Sequence, residues 1–127
     1  MAQTLVLDPD RFFPHDRAVR SVARTLFEQV EQLPIVSPHG HVDPAWFAHD
    51  APFEDAVSVF LWPDHYVLRM LYSQGVGLGE LGIAGDDSPV ERDRRAIWRL
   101  FAANYRLFRG TPSRLWLDLA FATVFGL

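Results

Sequence analysis

The chain has 127 residues, 49% hydrophobic and 22% charged, with a formal net charge of -4. That length suffices for one domain with a real core, and the dispersed basic residues exclude a nucleic-acid footprint. With no cysteine, disulfides and thiolate ligands are excluded, so any metal must rest on histidine and carboxylate.

The segment Met1 to Arg17 offers only the short apolar run Leu5-Val6-Leu7, soon followed by acids, which is not the pattern of a secretory leader. No stretch approaches the roughly 18 apolar residues that a membrane span needs. A soluble cytoplasmic protein is the expectation. Residues 1–15 read as an irregular lead-in broken by Asp8-Pro9-Asp10 and Phe13-Pro14. From Asp16 to Gln32 the spacing turns helical, with Val19, Val22, Ala23, Leu26, Val30 and Leu33 as one apolar stripe.

Pro34 stops that helix, and Ile35-Val36 is expected to begin a buried strand that runs into Ser37-Pro38-His39-Gly40-His41. Side chains alternate along a strand, so His39 and His41 would project together. Gly40 between them lets a metal or ligand come near the backbone. Two imidazoles side by side make half of a divalent metal site, and satisfied structural histidines are the competing reading. Asp43 could add an oxygen ligand, but followed by Pro44 it fits better as the N-cap of a short helix carrying Trp46 and Phe47.

A short helix is expected near Glu54–Phe60, between Pro52 and Pro63. The next spans Asp64 to Gln74, with Pro63 at its start and Gly75 as its stop. On it His65, Arg69 and Tyr72 share a face. The glycine-rich Gly75–Gly82 region lacks a preceding strand and the full phosphate-loop pattern, so it reads as a plain loop. Ser88-Pro89-Val90-Glu91 has the form of a capping box, predicting a helix to Phe108 with Ile97, Phe101, Asn104 and Phe108 near one seam. Thr111-Pro112 then caps a helix from Ser113 to Phe125, apolar around almost its whole circumference. Such a helix wants burial on every side, and the expectation is that the chain is the front of a longer fold.

His65 could serve as a general acid or base, against the plainer reading of a helix-surface histidine. Tyr66 could hydrogen-bond or protonate a substrate oxygen, or pack in the core with a tethered hydroxyl. Arg69 could grip a carboxylate, or pair with an acid of the protein.

The order of these motifs carries a resemblance. A helix, then Pro-Ile-Val-Ser-Pro-His-Gly-His, then Pro-Asp-His-Tyr-Val-Leu-Arg-Met-Leu, then a Trp-bearing helix before Thr111-Pro112 resembles the N-terminal part of the uronate (glucuronate) isomerases, within the amidohydrolase superfamily. The likeness covers roughly residues 5–127. It implies a distorted (β/α)8 barrel with a helical insertion after the first strand. This chain would then be mainly α with one barrel strand, residues 1–43 holding the first helix and strand 1 and residues 44–127 the insertion. The implied activity interconverts D-glucuronate with D-fructuronate and D-galacturonate with D-tagaturonate in hexuronate catabolism, an aldose–ketose isomerisation through an enediol. His39 and His41 match the superfamily's strand-one metal ligands, and the implied cofactor is a divalent metal, zinc first among them. His65 and Tyr66 match the family's His-Tyr pair at the substrate. Arg69 sits at a usually basic position of that motif, with no substrate contact assigned to it.

The departure is length, since a complete barrel needs about 250 residues and eight strands. The last-strand aspartate and the later arginines for the substrate carboxylate are absent, so little or no isomerase activity is expected of this polypeptide alone. Two other functions compete: a metal-dependent hydrolase on the same barrel, and a non-enzymatic helical module. The Asp-His-Tyr motif argues against the first. The second would self-associate through the Ser113–Phe125 helix. The expected partner is a small hexuronate, with no nucleic acid and no membrane.

Overall fold

The computed structural model describes residues 5–37, 39–85 and 89–127. Six α-helices form: α1 Arg17–Glu28, α2 Pro44–His49, α3 Ala56–Phe60, α4 His65–Ser73, α5 Arg94–Asn104 and α6 Pro112–Thr123, with 3-10 turns at Gly79–Leu81 and Tyr105–Phe108. No helix among the described residues is long and apolar enough to cross a membrane. The chain divides into two compact units, one formed by the part up to His39 together with Trp116–Leu127, the other by Gly40–Leu115.

In the first unit Asp16 caps α1 by accepting from the Val19 amide at 2.9 Å. Asp10 receives Arg24 Nε at 2.7 Å, Arg24 lies over the Phe13 ring, and Phe13 meets Phe27 edge-on at 5.8 Å. The Leu5 amide donates to the Leu127 carbonyl at 2.9 Å. The apolar stripe of α1 stays open: the helix buries none of its residues, and Val22 and Leu26 are each 61% exposed.

The expected strand does not form, and among the described residues the architecture is helical throughout. Ile35 and Val36 are 94% and 88% exposed, and the Ser37 hydroxyl donates to the His39 carbonyl at 2.7 Å. A strand's amides and carbonyls need a neighbouring ladder, and among the described residues there is none.

Most of the buried apolar residues lie in the second unit, while Leu117 of α6 is buried in the first. Val57, Phe60 and Leu61 from α3 and its end meet Val67 and Leu71 of α4, Leu81, Ile97 and Phe101 of α5, and Phe108, all buried. Helices α1 to α5 begin on an aspartate whose short acceptor satisfies otherwise orphaned amides, and at the start of α6 the Thr111 hydroxyl accepts from the Arg114 amide at 3.2 Å. Asp43 caps α2, confirming its capping role, and Asp64 caps α4. Asp55 caps α3 in a box completed by Ser58. α5 starts later than Ser88-Pro89-Val90-Glu91 suggests; Ser88 lies outside the described residues, and Asp93 is the cap. Glu91 is drawn off by the Gly79–Leu81 turn, where its amide donates to the Gly79 carbonyl at 2.9 Å. The α5 seam is as expected for Ile97, Phe101 and Phe108, which are buried, although the last turn tightens to 3-10. In the glycine-rich region the Gly77 amide donates to the Glu80 carboxylate at 2.8 Å, so an acid already occupies a donor a phosphate would need.

A knot around Trp62 ties these elements together. Its indole N–H donates to the Leu81 carbonyl at 3.0 Å, and Arg94 stands 4.8 Å over its ring. Arg94 also bonds Glu54 at 2.6 Å and Asp55 at 2.5 Å. Burial alone would raise the Asp55 pKa, but hydrogen bonds from Arg94, Ser58 and Val57 with the nearby guanidinium charge outweigh it and hold the carboxyl below its ordinary value. A depressed carboxylate stabilises the fold fully above the unfolded value, about 3.9, and loses that contribution as pH falls through the folded value. Replacing Asp55→Asn should therefore flatten the acid limb of stability below about pH 4, read by urea unfolding at a series of pH values.

Gly82 has φ +77, and a Cβ there would stand 2.8 Å from Ile97 Cδ1 and 3.2 Å from Trp62 Cζ2. Gly82→Ala should cost about 1–3 kcal/mol in denaturant unfolding. Gly110→Ala, with φ +72 but open space around it, should cost less.

Candidate active site

The site residues are positioned by two capped helix starts. Asp43 and Pro44 turn the chain into α2 directly after His41, the Ala45 amide donating to Asp43 at 2.9 Å. Asp64 accepts from the amides of Tyr66 at 2.8 Å and Val67 at 3.3 Å, so His65 and Tyr66 occupy the first turn of α4. Val67 and Leu71 anchor that helix in the core, which leaves the opposite side to the polar residues.

His41, His65 and Tyr66 meet. His41 Nδ1 and His65 Nδ1 are 3.3 Å apart, a hydrogen bond in which one ring nitrogen carries the proton and the other accepts it. The two ring planes are inclined by 21°, with centroids 4.9 Å apart. Tyr66 lies 4.2 Å from the His65 ring and 6.4 Å from that of His41. His65 is half-buried. Tyr66 is 59% exposed, which excludes the reading of a core tyrosine with a tethered hydroxyl.

His39 ends the first unit and Gly40 opens the second, so the two expected metal ligands belong to different units. Among the described residues no group of three or more His, Cys, Asp or Glu is arranged to hold a metal ion. Imidazole donors suit a borderline cation such as zinc.

Arg69 makes no ion pair among the described residues. With Tyr66 it lines a cleft of about 410 Å³ whose other walls include Met70, Ser73, Phe108 and Thr111. Spacing alone does not signal that His41 and His65, 24 residues apart, would bond; the packing of α4 brings them together.

The chain is similar to known proteins along nearly its whole length. The glucuronate isomerase family matches residues 12–127. A uronate isomerase of Sphingopyxis alaskensis is 61% identical over 126 residues, 99% of this chain and 26% of that protein. One of Rhizorhabdus wittichii is 63% identical over 126 residues, with the same coverage of each chain. Among solved structures, glucuronate isomerase from Caulobacter crescentus matches with a TM-score of 0.87 and 52% identity, over 98% of this chain and 26% of that one. The chain thus spans about a quarter of the length of the relatives it matches.

The Asp64 cap carries the geometry of His65 and Tyr66. Asp64→Ala should cost about 1 kcal/mol and speed hydrogen exchange at the Tyr66 and Val67 amides while leaving the α5 amides unchanged.

Proposed function

The chain belongs to the glucuronate isomerase family, and on that premise we propose that it forms the first quarter of a uronate isomerase. The reaction interconverts D-glucuronate with D-fructuronate and D-galacturonate with D-tagaturonate in the cytoplasm, as a step of hexuronate catabolism. The observation that carries this reading is the meeting of His41, His65 and Tyr66 in one cluster.

Aldose–ketose isomerisation removes the C2 proton, passes through an enediol and returns a proton to C1. It needs a base near carbon and donors near the two oxygens that exchange carbonyl character. His65 and Tyr66 are the residues of this chain for that work at the substrate. An imidazole holds or releases a proton near neutral pH, and a phenol hydroxyl donates to or accepts from a sugar oxygen. His39 and His41 would hold a divalent metal, zinc first among the candidates, and such an ion supplies Lewis-acid polarisation of a carbonyl oxygen.

The same reading accounts for the open apolar surface. The stripe of α1 and the exposed Ile35 and Val36 are what a (β/α)8 barrel would cover, with residues 34–41 as its first strand and residues 44–127 as the helical insertion after it. In a barrel the neighbouring strands would supply the ladder that this segment lacks.

Two measurements test it. A polypeptide continuing this chain to the family's full length should form ketouronate from D-glucuronate or D-galacturonate, whereas the 127-residue chain should form little or none. Absence of ketouronate from the longer protein with Zn²⁺ supplied would sink the assignment. In the active protein, Tyr66→Phe and His65→Ala should each lower kcat about 10²–10⁴-fold if they exchange protons with substrate.

A further inference from the structure

We propose that Arg69 is a substrate-binding residue: it holds the carboxylate of the hexuronate in the cleft beside Tyr66, one helical turn from His65. This deepens the isomerase reading and rests on it.

Arg69 follows His65 by four residues on α4, so the two share a helix face about 6 Å apart along the axis. Tyr66 belongs to both ends of that stretch. Its ring lies 4.2 Å from that of His65, and it also lines the cleft of about 410 Å³ that Arg69 lines. The His65–Tyr66 pair and the cleft therefore adjoin, and both lie within the second unit. A hexuronate has a matching reach: its C6 carboxylate stands four bonds from C2, about 5 Å in an extended chain.

The lining suits a sugar acid. It contains one cation, Arg69, and no carboxylate, so none of the walls neutralises the guanidinium. Arg69 is exposed and makes no ion pair among the described residues, whereas Arg20, Arg24 and Arg94 each pair with an acid. Ser73 and Thr111 spend their hydroxyl protons on the carbonyls of Met70 and Phe108, at 2.8 and 2.7 Å. That leaves the Arg69 fork, with the hydroxyls of Tyr66 and Ser113, as the side-chain donors of the cleft. A guanidinium takes a carboxylate through two parallel N–H···O bonds, and hydroxyls complement those of a sugar. A neutral aldose lacks the group that Arg69 reads, so this residue would separate a uronate from its parent sugar.

In ¹H–¹⁵N spectra of the 127-residue chain, D-glucuronate should shift the Arg69 Nε–H and the Ser113 amide, while D-glucose at equal concentration leaves both unmoved. Arg69→Gln should abolish the response. Arg69→Lys, which keeps the charge but not the fork, should restore only part of it. Because Arg69 is exposed and outside every ion pair described, the rest of the spectrum should stay unchanged in both variants. Equal shifts from the two sugars, no shift at Arg69, or a response that survives Arg69→Gln would each overturn the proposal. In the active longer polypeptide, Arg69→Gln should raise KM for D-glucuronate about 10–100-fold and leave kcat nearly unchanged. An unchanged KM overturns the proposal and leaves the isomerase reading standing. If the unsubstituted longer polypeptide makes no ketouronate while D-glucuronate still shifts Arg69, the isomerase reading falls and the carboxylate site remains.

Discussion

Trp62 is gripped from three sides, and the second unit depends on that grip. The Leu81 carbonyl takes its N–H, the α-carbon of Gly82 leaves room for its ring edge, and Arg94 covers its face. Because Trp62 directly precedes Pro63 and Asp64, holding it fixes where α4 begins. Because Arg94 is the first residue of α5 and bonds the cap of α3, the same knot sets three helix starts relative to one another. A cation over an indole and a pair of exposed ion pairs each contribute only modestly. Their value here is geometric, since they close the ends of short helices that would be marginal alone.

The knot reaches the chemistry through α4. Helices of five to nine residues bury too little apolar surface to fix a side chain by themselves. Val67 and Leu71 seat α4 in the core, Asp64 sets its first turn, and His65 and Tyr66 then have one place to go. Placing the two groups on the first turn of a packed helix gives the precision that a loop would lack.

Much of this was legible in the residues. The Asp-Pro pair at 43–44 marked a helix start because a short carboxylate before a helical run has one efficient use, accepting orphan amides, and Pro63 marked the next. The seam of Ile97, Phe101 and Phe108 followed from spacing. The start of α5 misled because Ser88-Pro89-Val90-Glu91 satisfies a local rule, while the competing partner of Glu91, the Gly79 carbonyl, is twelve residues away and invisible to any local rule. The strand at Ile35-Val36 misled for a related reason: β-branched residues state a preference, but a ladder needs a second strand. In the site, the residue types and the His-Tyr motif pointed to His41, His65 and Tyr66 separately. Their mutual contact depends on tertiary packing that no spacing encodes.

The exposed Ile35 and Val36 have one more consequence. An exposed apolar pair outside any helix or strand is a template onto which another chain could add as a strand, the usual beginning of aggregation. Here the pair lies between Pro34 and Pro38, two residues that have no amide hydrogen to give. A chain docking along this segment would find donors only from Ile35 to Ser37, too few for the six- or seven-residue zipper that amyloid growth requires. The prolines thus act as gatekeepers, leaving the two aliphatic side chains exposed while limiting the backbone that could propagate a fibril.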